Sequence, residues 1–349
     1  MGETLPPIEG VDLTRLAAWM DESGLGSGPI SGVERLGGGT QNILLRFERN
    51  GRGYVLRRPP LHKRANSDET LRREARVLAA IAGSDVPHPA LIAGCPDASV
   101  LGGAFILMEP IRGFNATQGL PELHASDPHI RHRMGLAMVD AIAALGALDY
   151  QAVGLAGFGK PEGYLARQVP RWRRHLEGYG ALEGYPGPEI PGLEEVGSWL
   201  EAHRPTSFRP GILHGDFHLA NVLFDYESPG LAAVVDWELS TIGDPLLDLG
   251  WLLATWPESD GGGAGSIGVQ PWNGFPRPEE LVARYGERSD RDLSQIPWYE
   301  VLACYKLGII LEGTHARAHA GKASKDVGDV LHATTLGLFA RAGRRIAAA

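Results

Sequence analysis

Cysteine is nearly absent: Cys95 and Cys304 are the only two in 349 residues. Two cannot build a disulfide framework, and neither sits at a metal-ligand spacing, so both read as small buried hydrophobes. Cations are also in deficit, with 33 Lys and Arg against 42 Asp and Glu and a net charge of −9. Neither nucleic acid nor anionic lipid rewards an acidic surface, so neither is expected as a partner, although a local basic pocket stays open. No apolar run approaches the ~20 residues that a membrane-spanning helix needs. The opening MGETLPPIEG lacks the basic-then-apolar order of a secretory signal, and Pro6 stands where a myristoylation signal has Ser or Thr. Together these absences point to the cytoplasm.

What is present is ordinary for a globular chain: 43% hydrophobic and 21% charged residues. The length is long for one core and suggests two lobes. No internal repeat is visible. Residues 11–24 read as a short helix with Leu13, Leu16, Ala17 and Met20 on one side. From about residue 30 the period changes to that of strands. Asn42–Glu48 and Tyr54–Arg58 flank Asn50-Gly51, a hairpin turn because both residues tolerate positive φ. A helix over about 68–82 follows, capped by Ser67 or Asp68 and ended by Gly83, with Leu71, Ala75, Leu78, Ala79 and Ala82 as its buried stripe. Strands are expected near Ala90–Gly94 and Ala104–Met108. The rest is mainly helical, beginning with a long helix from Ser126-Asp127-Pro128 to about Leu148. A short strand pair, Val222–Phe224 and Ala232–Val235, interrupts it. Residues 260–268, DGGGAGSIG, read as a flexible loop, and helices near 278–288, 297–320 and 325–347 close the chain.

The chemistry concentrates in LHGDFHLANVLFD, residues 213–225. His214, Asp216 and Asn221 lie in fixed succession between apolar stretches, as in a loop that holds polar groups against a ligand. Twenty residues after Asp216, Asp236 ends the apolar run Val234-Val235. An acid, an amide five residues on and a second acid beyond a hairpin suit metal-assisted phosphoryl transfer. One carboxylate orients the attacking hydroxyl; the amide oxygen and the other carboxylate hold Mg²⁺, a hard ion that takes oxygen ligands.

HGDFHLAN resembles the catalytic loop of protein-kinase-like enzymes, in the form used by aminoglycoside phosphotransferases and choline kinases. VVDWELSTIGDPLLDLGWLLATW is similar to the stretch that follows it there. The match is closest to phosphotransferases related to the kinase-like domain fused to some acyl-CoA dehydrogenases, and it runs from about residue 30 to 320. The resemblance implies an α+β, bilobal protein-kinase-like fold. A small antiparallel sheet with one key helix would occupy 1–109, and a larger, mainly helical lobe 110–349. It implies Asp216 as the catalytic acid, His214 as a prop for the loop, Asn221 and Asp236 as metal ligands, and Asp248 as a brace through hydrogen bonds. His218 matches no family role and reads as structural; Glu238 is open between a second metal and solvent.

In the first lobe the resemblance sets Gly37, Gly38, Gly39 and Thr40 as the phosphate-covering loop, since glycines let backbone N–H groups approach anionic oxygens. Val55 would roof the adenine. Arg57, two residues on and on the same face, falls where kinases carry a Lys. This is a departure: a planar fork replaces a compact charge. Glu74 would pair with it, the rival being a solvated helix charge. The segment from Glu109 to Ile111 would read the adenine edge. The cofactors implied are ATP and Mg²⁺.

The acceptor is less legible. Aminoglycosides need clustered acids, whereas Arg167, Arg171, Arg173, Arg174 and His175 share one stretch, and His315, Arg317, His319 and Lys322 another. Either an anionic small molecule or a solvated basic face fits these. Relatives linked to the dehydrogenases phosphorylate hydroxyacyl-CoA chains, so the resemblance implies a kinase for a hydroxy acid or its CoA thioester. An aminoglycoside kinase and a choline-type kinase remain alternatives, the latter because Trp172, Trp237, Trp251, Trp256, Trp272 and Trp298 could build an aromatic cage. A nucleotide-binding pseudokinase is a rival from another class, supported by Arg57. A protein kinase is disfavoured, because GDPLLDLG follows Asp236 almost at once. Monomer and homodimer are both open.

Overall fold

The computed structural model describes residues 10–37, 42–60, 62–63 and 65–349. It divides into two compact units, one ending at Arg112 and taking in Val235–Glu238, the other made of Gly113–Val234 and Leu239–Ala349.

In the first unit, helix α1 (Leu13–Glu22) precedes strands β1 (Ile30–Arg35), β2 (Ile43–Arg49) and β3 (Arg52–Arg58); helix α2 (Ser67–Ala80), strand β4 (Leu91–Cys95), a single turn α3 (Ala98–Leu101) and strand β5 (Phe105–Met108) complete it. The sheet is antiparallel throughout, in the order β1-β2-β3-β5-β4. The β2–β3 turn is the one expected: Asn50 has φ 51° and Gly51 φ 73°, a pair whose twist matches that of the flanking strands. It pairs Arg49 with Arg52 and fixes Arg57 opposite Leu44. In β2, Ile43, Leu45 and Phe47 alternate into a core shared with Leu16 and Met20 of α1 and with Leu56, Phe105 and Leu107.

Helix α2 departs from its expected stripe. Leu71, Val77 and Leu78 are buried, but Ala79 and Ala82 face solvent and the fourth buried position is Glu74. A stripe drawn from apolar residues alone was bound to miss a carboxylate that an inward-pointing arginine meets. Neither expected cap serves as one. Asn66 sits at the N-cap without a side-chain bond, and Asp68 instead accepts from Lys63 Nζ at 2.5 Å and from the Ala104 amide at 3.0 Å.

The second unit is mostly helical: α4 (Glu122–Ser126), α5 (Pro128–Ala147), α6 (Gln168–Glu177) and α7 (Leu193–Ala202) precede β6 (Gly211–Leu213), β7 (Val222–Phe224), β8 (Leu231–Val234) and β9 (Thr241–Gly243), and α8 (Leu246–Thr255), α9 (Pro278–Arg288), α10 (Ile296–His319) and α11 (Lys325–Ala347) follow. Asp127 caps α5 by accepting from the His129 amide, with Pro128 in the first turn where no N–H is needed. Strands β6 and β9 pair, as do β7 and β8; the chain from Leu213 to Val222 is thus held at both ends. Helix α10 packs on α6, α7, α8 and α11. Residues 260–268 contain no regular element. Cys95 and Cys304 are both free and buried, as composition suggested. Among the described residues no helix is long and apolar enough to cross a membrane.

Candidate functional site

Strand alternation carries Arg57 inward, and burial makes its partners decisive. The Arg57 Nε lies 3.1 Å from a Glu74 carboxylate oxygen, while Nη2 donates to Asp236 Oδ1 at 2.6 Å and to Glu238 Oε2 at 3.3 Å. Asn42 Nδ2 donates to the same Glu238 oxygen at 3.3 Å. Three carboxylates therefore share one guanidinium. Burial disfavours the charge of Arg57, but the surrounding acids outweigh it and push its pKa above the ordinary value. Glu74, 1% exposed, is pushed up to about 7 by burial, against the pull of Arg57 and with Asp236 and Glu238 adding repulsion. Among the described residues, Arg57 is the cation that these three carboxylates meet. Asp236 has φ 67°, one of two non-glycine residues with positive φ among those described; such backbone strain persists where surrounding contacts enforce it.

Of the other residues assigned to nucleotide, Val55 is buried in β3 beside Met108. Glu109 donates its amide to the Ala90 carbonyl at 2.9 Å and pairs its carboxylate with Arg52 at 3.0 Å. Ile111 lies two residues on, partly buried. Gly37 is exposed, and Gly38, Gly39 and Thr40 lie outside the described residues.

In the second unit His214, Asp216 and Asn221 come together as a braced loop. Phe217 and Leu219 are buried and anchor it. Asp248, on α8, accepts the His214 amide at 2.6 Å and the Gly215 amide at 2.9 Å. Gly215 has φ +87°, and a Cβ there would come within 2.5 Å of the Leu239 carbonyl oxygen, so no other residue fits between His214 and Asp216 without moving the loop. The buried His214 ring accepts from the Asp216 amide at 3.3 Å through Nδ1. Asn221 Nδ2 donates to the Asp216 carbonyl at 2.9 Å and to Asp216 Oδ2 at 3.2 Å. With its nitrogen committed to Asp216, the amide oxygen is the atom Asn221 can offer as a ligand.

His218 and Lys306 were missed as site residues. His218 Nε2 lies 3.4 Å from Asp216 Oδ1, so it faces that carboxylate rather than only filling space. Lys306 of α10 donates to the Gly215 carbonyl at 3.1 Å. Its ammonium sits 4.1 Å from the ring centre of Trp251 and 5.7 Å from that of Trp172. Burial opposes the Asp216 charge, but the hydrogen bond and charge of His218, then Lys306 and His214, outweigh it and hold the pKa below the usual carboxylate range. Asp248 goes the other way, up to about 6, because burial exceeds the help of its two amide donors. Burial brings Lys306 down to about 8, though Asp216 and Asp248 favour its charge.

The expected basic faces and aromatic cage come apart. Arg167 turns back to the carbonyls of Glu162 and Lys160, and Arg173 is paired with Glu194. Only Arg171, stacked on Trp172 at 5.4 Å, stands near Lys306, enough to disfavour the Lys306 charge. In the later stretch His315 and His319 turn to each other and Arg317 donates to Thr314. Trp256 meets Trp272 and Phe275 edge to face, Trp298 donates to the Leu200 carbonyl, and Trp237 is buried in the first unit. Sequence spacing had grouped side chains that helix rotation separates.

A family model described as a phosphotransferase enzyme family matches residues 32–289. Acyl-CoA dehydrogenase family member 10 of Mus musculus is 31% identical over 280 residues, which cover 78% of this chain and 25% of that protein. The chain thus spans about a quarter of the length of this relative. A putative aminoglycoside phosphotransferase from Ralstonia eutropha JMP134 is 30% identical, with a TM-score of 0.79, and the alignment covers 95% of this chain and 98% of the other. Aminoglycoside phosphotransferase APH(4)-Ia, solved as a ternary complex with AMP-PNP and hygromycin B, shares 17% identity at a TM-score of 0.55, covering 92% and 98%; that likeness carries the fold alone. The fold is the kinase-like one that the catalytic-loop resemblance implied.

Proposed function

The chain belongs to the phosphotransferase enzyme family, and from that premise we propose an active, cytoplasmic small-molecule kinase that uses ATP and Mg²⁺ to phosphorylate a hydroxyl group of an anionic acceptor, a hydroxy acid or hydroxyacyl-CoA thioester. Asp216 carries the reading. A carboxylate held ionised beside a histidine and a lysine can accept a hydrogen bond from an acceptor hydroxyl and take its proton as the phosphoryl group arrives. His214 and Asp248 keep its backbone in place.

Asn221 and Asp236 supply the oxygen ligands of Mg²⁺. The fit rests on chemistry: the Asn221 amide oxygen and the Asp236 carboxylate are both oxygen donors of the kind a hard divalent cation takes. When bound, Mg-ATP supplies the phosphoryl group and neutralises its developing charge. Arg57, braced by Glu74, is the phosphate-binding cation; Val55 and the backbone from Glu109 to Ile111 receive the base, and the glycine loop from Gly37 to Thr40 covers the phosphates.

Lys306 supports the choice of acceptor class. A choline-type or aminoglycoside ammonium would seek the aromatic faces of Trp251 and Trp172, but the protein's own ammonium already lies there. An ammonium held there is instead a cation that a carboxylate or phosphate can pair with. A second reading, a nucleotide-binding regulator without turnover, is favoured by one observation: Arg57 grips the Asp236 carboxylate that Mg²⁺ needs. Measuring ADP release with hydroxy acids, hydroxyacyl-CoAs, choline and aminoglycosides decides among them. Turnover confined to the anionic alcohols is expected. Preference for the amines overturns the acceptor class, and Mg-ATP binding with no turnover on any acceptor favours the regulator.

A further inference from the structure

Away from the phosphoryl-transfer residues, the last two helices carry a second polar cluster. Glu312, His315 and His319 fall at i, i+3 and i+7 of α10, on one helical face, and His332 of α11 meets them. Glu312 is fully buried. One carboxylate oxygen accepts from the Tyr185 hydroxyl at 2.7 Å, and the other lies 2.7 Å from His332 Nδ1. The His315 ring stacks on His332 with centroids 4.4 Å apart, and its Nε2 lies 3.3 Å from His319 Nε2. A Cβ on Gly328 would come 2.6 Å from Ala318 Cβ and 3.3 Å from His315 Cα, so glycine permits the approach that brings His332 in.

A hydrogen-bonded Glu–His pair accounts for Glu312 and His332 but not for the remainder. His315 Nδ1 is buried with no hydrogen-bond partner; the nearest carboxylate oxygen, of Asp329, is 3.7 Å away. Of the three imidazoles, His332 meets the carboxylate and His319 meets the His315 ring; a buried ring nitrogen left without a partner, as at His315 Nδ1, is costly unless something binds it. One ligand atom each from Glu312, His315 and His332 lies within 4.8 Å of the others. Zn²⁺ holds N and O ligands at about 2.0–2.2 Å in a tetrahedron, a donor set of the kind these three side chains offer.

We propose that Glu312, His315 and His332 form a binding site for a divalent transition-metal ion of the Zn²⁺ class, a water completing its coordination. Imidazole-rich donors select Zn²⁺ over Mg²⁺, so this site and the phosphoryl-transfer metal are served by different ions. Tyr185 orients the Glu312 carboxylate from outside, the usual role of a second layer of hydrogen bonds. The ion would pin α10 to α11 and tie both to the segment carrying Tyr185.

The test uses untagged, full-length protein stripped with a chelator and titrated with Zn²⁺ and Co²⁺. One equivalent of Zn²⁺ is expected, with a raised melting temperature and a tetrahedral Co²⁺ absorption band. His315→Gln combined with His332→Gln should lose the band and weaken Zn²⁺ binding by on the order of 100-fold, and Tyr185→Phe should weaken it by roughly tenfold. His203→Gln, at an exposed position just after α7, should change nothing. Circular dichroism verifies that the variants fold; if the double variant does not, the Tyr185→Phe result decides. Equal Zn²⁺ affinity and stoichiometry in wild type and the variants, or a wild type with no tetrahedral band, overturns the proposal. None of these readouts depends on kinase activity.

Discussion

The two units solve opposite electrostatic problems. In the first, one guanidinium is shared by Glu74, Asp236 and Glu238. In the second, one carboxylate, Asp216, has His218, Lys306 and His214 around it. The first surrounds a cation with acids; the second surrounds an acid with basic side chains and holds its pKa below the usual carboxylate range. In the function proposed, the same residue types, differently proportioned, separate a metal-binding role from a proton-accepting one.

The sharpest break of this contrast is Asp216→Asn. It keeps shape and removes the base, so kcat should fall by about 10³-fold while the Mg-ATP affinity measured by calorimetry stays within a factor of two. A variant with wild-type turnover removes Asp216 from the chemistry. Next in size is Arg57→Ala, which strands a buried Glu74 among other acids and should cost about 3 kcal/mol, seen as a melting temperature several degrees lower; Arg57→Lys should recover most of that. No change in melting temperature for the alanine variant would mean that the cluster contributes nothing to the fold.

Lys306→Met keeps the stem against Trp251 but removes the charge. A hydrogen bond to a charged group is worth about 1.5–3 kcal/mol, so KM for an anionic acceptor should rise about tenfold or more, with KM for ATP unchanged. An unaltered acceptor KM would return Lys306 to a purely structural place. The smallest effect is in pH. The Lys306 ammonium loses its proton near 8 in the folded chain and near its ordinary value of 10.5 when unfolded. Acceptor KM should therefore climb as pH passes 8. Between about 8 and 10.5 the unfolded chain binds more protons, so this residue's contribution to stability rises with pH over the same window. Lys306→Met should flatten both trends, and a wild type lacking both would mean that Lys306 is not depressed.

Local signals were readable where chemistry and chain direction coincide. His214, Asp216 and Asn221 sit within eight residues, and the Asn50-Gly51 turn sets the register that aims Arg57. Glu74 was legible as a partner of Arg57 only through resemblance, because among Arg72, Arg73 and Arg76 its own surroundings suggested solvent. Lys306 left no comparable trace. It lies 90 residues beyond Asp216 in an apolar helix, and only its isolation there, a lone cation amid Tyr305 and Leu307, could have flagged it. His315 and His319 were read as positive charge for the opposite reason: spacing along α10 was visible, whereas the approach of α11 was not. The tryptophans failed as a group because composition counts rings without knowing which way helices turn them.

Asp236 adopts a left-handed backbone that side chains with a Cβ seldom tolerate, Asn and Asp being the least averse. That narrows the useful edits at this position to one. A carboxamide keeps the posture and discards the charge, whereas alanine or valine would disturb both together. Experiments wishing to separate what Asp236 binds from how it bends the chain should begin with Asp236→Asn.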